Sequence, residues 1–277
     1  MAQNSNIEWC DHTVNLWWGC SKVHTGCKNC YAETLSNRFN DNLWGEKGKR
    51  KMIKSAFKDL NKYQDRASKE GKKTKIFMGS MMDIFEDPKP LFNGKGEKVT
   101  VPTKNGGYEC NTDIQRAQLF SLIDLGQYDN LVFLFLTKRP KNISKYIPDN
   151  WKSNPPENVW FGMSISDQKT MTDTFTDFII HSPYSCNRFL SVEPQVGHIT
   201  FKDHLIEKKE LGEVFLNPIH WIIQGGESGA KKRPFDLSWA YSMKKECESY
   251  GIPYFFKQID KVQPIPEDLT IREFPGF

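Results

Sequence analysis

Leu131-Val132-Phe133-Leu134-Phe135-Leu136, followed at once by Thr137-Lys138-Arg139-Pro140, decides how the rest of the chain is read. Six consecutive apolar residues cannot cross a bilayer, which takes about 20. They suit a strand covered on both faces, as in a parallel sheet. The abrupt change to Thr-Lys-Arg-Pro puts polar groups at the strand's C-terminal end. Similar runs recur at Thr13–Trp18, Lys75–Gly79, Val159–Ile165, Arg188–Val192, Ile219–Gln224 and Ile252–Phe256. Between them lie stretches that suit helices: Cys30–Leu43, Ser55–Glu70, Asn111–Leu125, Gln168–His181 and Ser238–Tyr250. Asn111 or Thr112 would cap the third, and Gly251-Ile252-Pro253 would close the last.

Strands alternating with helices are βα units. About six to seven of them predict an α/β fold, a full or partial (β/α) barrel in one domain spanning residues 1–277. One stretch breaks the pattern. Residues 88–108 carry Asn93-Gly94-Lys95-Gly96 and Asn105-Gly106-Gly107 around a short Val99–Val101 run. They read as an inserted polar loop or hairpin.

In such a barrel, chemistry sits on the loops that follow the strands. Unusual residues stand there repeatedly. Cys20 follows the first run and Gly79-Ser80-Met81-Met82-Asp83 the second. Thr137-Lys138-Arg139 follows the third, Ser164, Ser166 and Asp167 the fourth, and Glu193-Pro194 the fifth. Gly225-Gly226-Glu227-Ser228-Gly229 and Lys257-Gln258 follow the last two.

Three of the seven cysteines fall within eleven residues, Cys20-Ser-Lys-Val-His-Thr-Gly-Cys27-Lys-Asn-Cys30, a C-x6-C-x2-C spacing. Thiolates bind soft metals, and a C-x2-C pair lets two sulfurs approach one centre. Three cysteines can hold three irons of a [4Fe–4S] cluster and leave the fourth open to a ligand. A structural zinc wants four ligands, and His24, Cys10 or His12 are candidates for the fourth. Unligated thiols are the third reading, and Lys22, His24, Lys28 and Asn29 make the loop polar for it. Cys10, Cys110, Cys186 and Cys247 read as small buried apolar residues.

The run Trp17-Trp18-Gly19-Cys20 to Cys27-Lys28-Asn29-Cys30-Tyr31-Ala32-Glu33 resembles the phage-derived three-cysteine-motif proteins, a radical-SAM-like family. Further matching blocks are Phe77–Phe85, Leu136–Pro140, Asn158–Ser164, Arg188–Pro194, Gly225–Gly229 and Pro253–Gln258, so the resemblance covers Trp17 to Gln258. The family is also loosely similar to the spore photoproduct lyases. The resemblance implies a radical-SAM-like barrel and two cofactors, a [4Fe–4S] cluster on Cys20, Cys27 and Cys30 and S-adenosylmethionine. By position it implies cofactor contacts from Gly79, Ser80, Met81, Ser164, Glu193, Gly225 and Gly226. Lys138, Arg139 and Lys257 would bind anionic groups. An external electron donor is implied, and a 5′-deoxyadenosyl radical as the reactive product. This chain departs from the common C-x3-C-x2-C radical SAM spacing in its six-residue first gap, and its aromatic, Tyr31, follows the last cysteine. For Glu193 the alternative is a salt bridge to Lys138, Arg139 or Lys257, and for the glycines a tight turn.

The 277 residues are 38% hydrophobic and 26% charged, which excludes wholesale disorder. Met1–Glu8 is polar and lacks a signal-peptide pattern, so a soluble cytoplasmic protein without membrane contact is expected. The formal net charge is +4, yet residues 46–75 hold twelve Lys/Arg against four Asp/Glu. This basic segment, with Trp17, Trp18 and Trp44 nearby, is a candidate nucleic-acid contact. A solvated helix face is the alternative. The expected function is therefore a radical SAM enzyme acting on a nucleic acid or nucleotide, in modification or repair. The rivals are such an enzyme acting on a small metabolite or peptide, and a non-enzymatic zinc or iron–sulfur protein that binds nucleic acid.

Overall fold

The computed structural model describes residues 5, 7–39, 42–103, 106–201 and 219–277. In chain order the strands are β1 (His12–Val14), β2 (Trp17–Trp18), β3 (Arg50–Met52), β4 (Thr74–Met78), β5 (Leu91–Phe92) and β6 (Thr100–Thr103). They continue with β7 (Gly106–Glu109), β8 (Leu131–Thr137), β9 (Val159–Ser164), β10 (Asn187–Val192), β11 (Trp221–Gly225) and β12 (Tyr254–Gln258). Among the described residues the helices are α1 (Tyr31–Asn37), α2 (Ala56–Glu70), α3 (Thr112–Asp124), α4 (Ile143–Tyr146), α5 (Asp149–Ser153), α6 (Gln168–His181) and α7 (Leu237–Tyr250).

The seven strands β1-β4-β8-β9-β10-β11-β12 form one sheet in that order, every neighbouring pair parallel. A doubly wound sheet reverses its order at a switch point. Here the order never reverses, so the sheet curls as a half-barrel, a partial β/α barrel.

Period-two alternation sorts the side chains. On β8, Leu131, Phe133 and Phe135 face the outer layer, in one core with Leu60 and Tyr63 of α2, Leu119 and Phe120 of α3, Phe175 of α6 and Met243 of α7. Val132 and Leu134 face the inner side with Trp9, Phe77, Trp160, Phe189, Trp221, Ile223 and Phe255. Gly162 belongs to this inner packing. A Cβ there would lie 2.2 Å from the Phe189 ring, which fills its space. The C-terminal tail joins the same layer at the start of the strands, with Phe277 against Trp160 and Phe274 against Trp221. One step along each strand the inner face turns polar, which places Ser164, Glu193 and Lys257 at the opposite end, the mouth.

Local chemistry explains the boundaries. Asn111 caps α3, its side chain accepting from Ile114 N–H. Gly251, at φ 64°, ends α7 in the left-handed conformation. Two expectations are corrected. The run Thr13–Trp18 is two strands, because the Asn15 side chain accepts from Met81 N–H at 2.8 Å and donates to Ser80 Oγ at 2.9 Å. Beyond this break β2 joins a separate sheet, β2-β3-β5. The helix expected over Cys30–Leu43 stops at Asn37, where an Asn-rich run favours turns. Within 88–108 the chain forms β5 and an exposed β6–β7 ribbon; Asn105 lies outside the described residues. No described helix is long and apolar enough to cross a membrane.

Candidate functional site

The cysteine loop follows β2 and lies across the mouth. Tyr31 Oη donates to the Ser80 carbonyl after β4 at 2.7 Å. Arg139, after β8, donates to the Ser21 carbonyl at 2.8 Å. Thr25 Oγ1 donates to Asp167 after β9 at 2.8 Å. Asn29 donates to Glu227 at 3.0 Å and to the Lys231 carbonyl at 2.8 Å, both after β11. Four post-strand loops thus hold the twelve residues from Cys20 to Tyr31.

Within it, Cys20 pairs in a short bridge with Trp44, Cys27 is buried in a 3-10 turn, and half-buried Cys30 opens α1. All seven cysteines are free thiols. Burial pushes the Cys20 thiol up to about 12, and the charges of Asp83 and Glu86 add to this while Arg139, 3.7 Å from the sulfur, opposes it. His24 caps the 3-10 turn, its Nδ1 accepting from Gly26 N–H at 3.0 Å. Burial, then the Lys138 charge, hold His24 down to about 4, so its ring is neutral at pH 7.

Behind the loop stands a network of charges. Arg50 is fully buried and donates to Glu86 at 2.6 and 2.7 Å, to Ser21 Oγ at 2.9 Å and to the Leu43 and Gly48 carbonyls. Arg139 pairs with Asp83 at 2.8 Å and with Glu86 at 3.7 Å. Asp83 also accepts from Thr137 Oγ1 and Lys138 N–H. These contacts fix the loop's base to β3, β4 and β8.

Residues 4–92 and 110–268 match the model of a family described as a protein of unknown function, DUF5131. The chain belongs to the DUF5131 family. The matched residues leave out 93–109, which hold the β6–β7 ribbon. No curated protein and no solved structure matches this DUF5131 chain.

The other expected site residues of this DUF5131 member fall in two groups. Ser164 and Glu193 meet at the mouth, Ser164 Oγ donating to the Glu193 carbonyl at 3.1 Å. Lys257 pairs with the Glu193 carboxylate at 2.5 Å, the salt-bridge alternative for that residue. Lys138 is half-buried there and, among the described residues, has no ion-pair partner, unlike Arg139 and Lys257. The glycines and their neighbours serve the backbone. Gly79, at φ +119°, makes a turn only glycine enters freely, and Asn15 holds Ser80 and Met81 beside it. Gly226 lets the Ile259 carbonyl approach to 2.0 Å from where a Cβ would stand. Gly225 meets only ordinary contacts with Gln258 and Glu193.

The cations of residues 46–75 stand in different surroundings. Arg50, one of the twelve cations of residues 46–75, is internal rather than exposed. Along and after α2, Arg66 and Lys72 pair with Glu70, and Lys75 with Asp11. Lys47, Lys49 and Lys54 are exposed around β3, whose partner β2 leads into Cys20.

Three thiols on one loop are soft donors of the kind an iron–sulfur cluster takes, and they fit it by chemistry and by position at the mouth. As the side chains stand, no three His, Cys, Asp or Glu among the described residues converge on a metal position. Sequence reading missed Asn15, Arg50 and Glu86. Their partners lie 65, 36 and 65 residues away, with no motif linking them. Asp83 was visible only as the end of a post-strand block.

Proposed function

We propose that the chain is an iron–sulfur enzyme of the radical SAM type acting on a nucleic acid or nucleotide. The observation that carries this reading is the three-cysteine loop held across the half-barrel mouth by four post-strand loops. Cys20, Cys27 and Cys30 would hold a [4Fe–4S] cluster, with S-adenosylmethionine at the open iron. With both bound, the chemistry supplied is one-electron cleavage of the sulfonium, fed by an external donor, to a 5′-deoxyadenosyl radical.

The chain's own groups orient and shield. Arg139 steadies the Cys20 sulfur and anchors the loop through Ser21. Lys138, without an ion-pair partner among the described residues, offers its charge to an anionic group. Ser164, Glu193 and Lys257 form a polar inner wall near Ser80 and Tyr31. Beneath them the aromatic layer from Trp160 to Phe255 excludes water.

Anaerobically reconstituted protein should be brown and hold about four irons per chain. Cys20→Ala, Cys27→Ala and Cys30→Ala should each lose the colour, and Cys110→Ala should keep it. Under dithionite the loaded protein should release 5′-deoxyadenosine from S-adenosylmethionine, read by chromatography. Stoichiometric zinc without iron overturns the cluster. Iron without nucleoside release or S-adenosylmethionine binding leaves a metal-binding module.

A further inference from the structure

The small sheet β2-β3-β5 has two unlike faces. Residues paired across neighbouring strands share a face, and successive residues alternate between faces. The register therefore puts Trp17, Arg50 and Leu91 on one side. None of the three has any exposed surface, so this side is the inner one. The other side carries a single row across all three strands: Trp18 on β2, Lys51 on β3 and Phe92 on β5. Each of these is half-buried.

The row continues beyond the sheet. The Phe39 ring, 62% exposed, stands 6.5 Å from the Trp18 ring. At the opposite end the Lys49 ammonium lies 4.9 Å from the centre of the Phe92 ring and donates to the Gly96 carbonyl at 3.3 Å. Among the described residues, Trp18, Phe39 and Phe92 join neither apolar layer of the large sheet. Aromatic rings and ammonium groups thus share one open face.

Such a face suits a partner that presents flat apolar rings and negative charge together. An unpaired nucleic-acid strand does so, with its bases free to stack on aromatic side chains and its phosphates free to meet lysines. A duplex keeps its base faces inside its own stack. A purely apolar partner would strip water from the lysines and return no counter-charge. The place also matters, because Cys20 follows Trp18 by two residues. A strand lying on this face passes beside the cysteine loop.

We propose that the open face of β2-β3-β5 binds a single-stranded nucleic acid, its bases stacked on Trp18 and Phe39 and its phosphates beside Lys49 and Lys51. The inference rests on the nucleic-acid part of the function above and narrows that substrate to unpaired strands.

The test titrates anaerobically reconstituted protein with a labelled mixed-sequence single strand and with its duplex, followed by fluorescence anisotropy. The single strand should bind more tightly. Phe39→Ala, at an exposed position, should weaken single-strand binding about tenfold, the effect of losing one base stack. Phe39→Tyr, which keeps a ring, should bind as the wild type does. Trp18→Leu should weaken binding in the same way. The dependence of affinity on salt should be unchanged in all three, because no phosphate contact is removed. Melting temperature and iron content of the Phe39 variants should match the wild type. Equal affinity for strand and duplex, or a single-strand affinity that Phe39→Ala leaves unmoved, overturns the inference and leaves the nucleic-acid reading standing. No binding of either probe at low salt overturns both, and iron uptake still judges the cluster.

Discussion

Arg50 and Glu86 show what a single residue's neighbours decide. Arg50 stands in a lysine-rich run, Lys49-Arg50-Lys51, and reads from sequence as one more exposed cation. Its guanidinium has no exposed surface and Glu86 has almost none. Glu86 faces two cations, Arg50 at 2.6 Å and Arg139 at 3.7 Å. Glu86→Gln would leave buried positive charge without its counter-charge. Breaking a buried pair in this way costs about 3–5 kcal/mol. The urea midpoint should therefore fall steeply. Glu46→Gln, on a carboxylate that pairs with Lys89 at the surface, should leave the midpoint unchanged. A small effect at Glu86 would mean that water reaches the network. The cysteines, by contrast, were legible because their spacing along the chain is itself the signal. The partners of Arg50 are set by tertiary contact alone.

At the scale of elements, legibility followed local chemistry. The bounds of α6 fall where the polar Gln168 and His181 place them, behind the Asp167–Thr170 capping box. The end of α7 was written in Gly251. The division of Thr13–Trp18 was not, because the Asn15 side chain that ends β1 bonds to residues 65 and 66 positions away. The β6–β7 ribbon was visible as turn chemistry, and its meaning comes from its surroundings. It pairs Val101 with Tyr108 and Pro102 with Gly107, lies within the 93–109 that the family match omits, and is exposed on β7. Replacing 102–107 with Asn-Gly would join facing positions by a two-residue turn that suits the twist of a hairpin. Melting temperature and iron loading should both stay at wild-type values. A clear loss of either would show that the ribbon supports the mouth.

For the whole molecule, the distribution of charge matters more than its sum. The segment from 46 to 75 carries a large excess of cations, but α2 leads away from the mouth toward the start of β4. Toward its end and beyond, Arg66 and Lys72 are paired with Glu70, and Lys75 with Asp11. Only the part around β3 stands next to the cysteine loop. If a nucleic acid is the substrate, phosphates should be met there. Binding should then weaken steeply with salt, because each neutralised phosphate releases condensed counterions. Lys49→Gln, Lys51→Gln and Lys54→Gln together, with Arg50 left in place, should flatten the slope of log K against log salt by ~0.7–0.9 for each phosphate no longer neutralised. The same change at Lys58, Lys62 and Lys69 of α2 should leave the slope unaltered. Fluorescence anisotropy on a labelled single strand and its duplex measures both sets. Equal flattening from the two sets would mean diffuse attraction to the whole basic segment. No binding at low salt would remove nucleic acid as the substrate and leave Lys138, at the inner mouth, to meet a small anionic one.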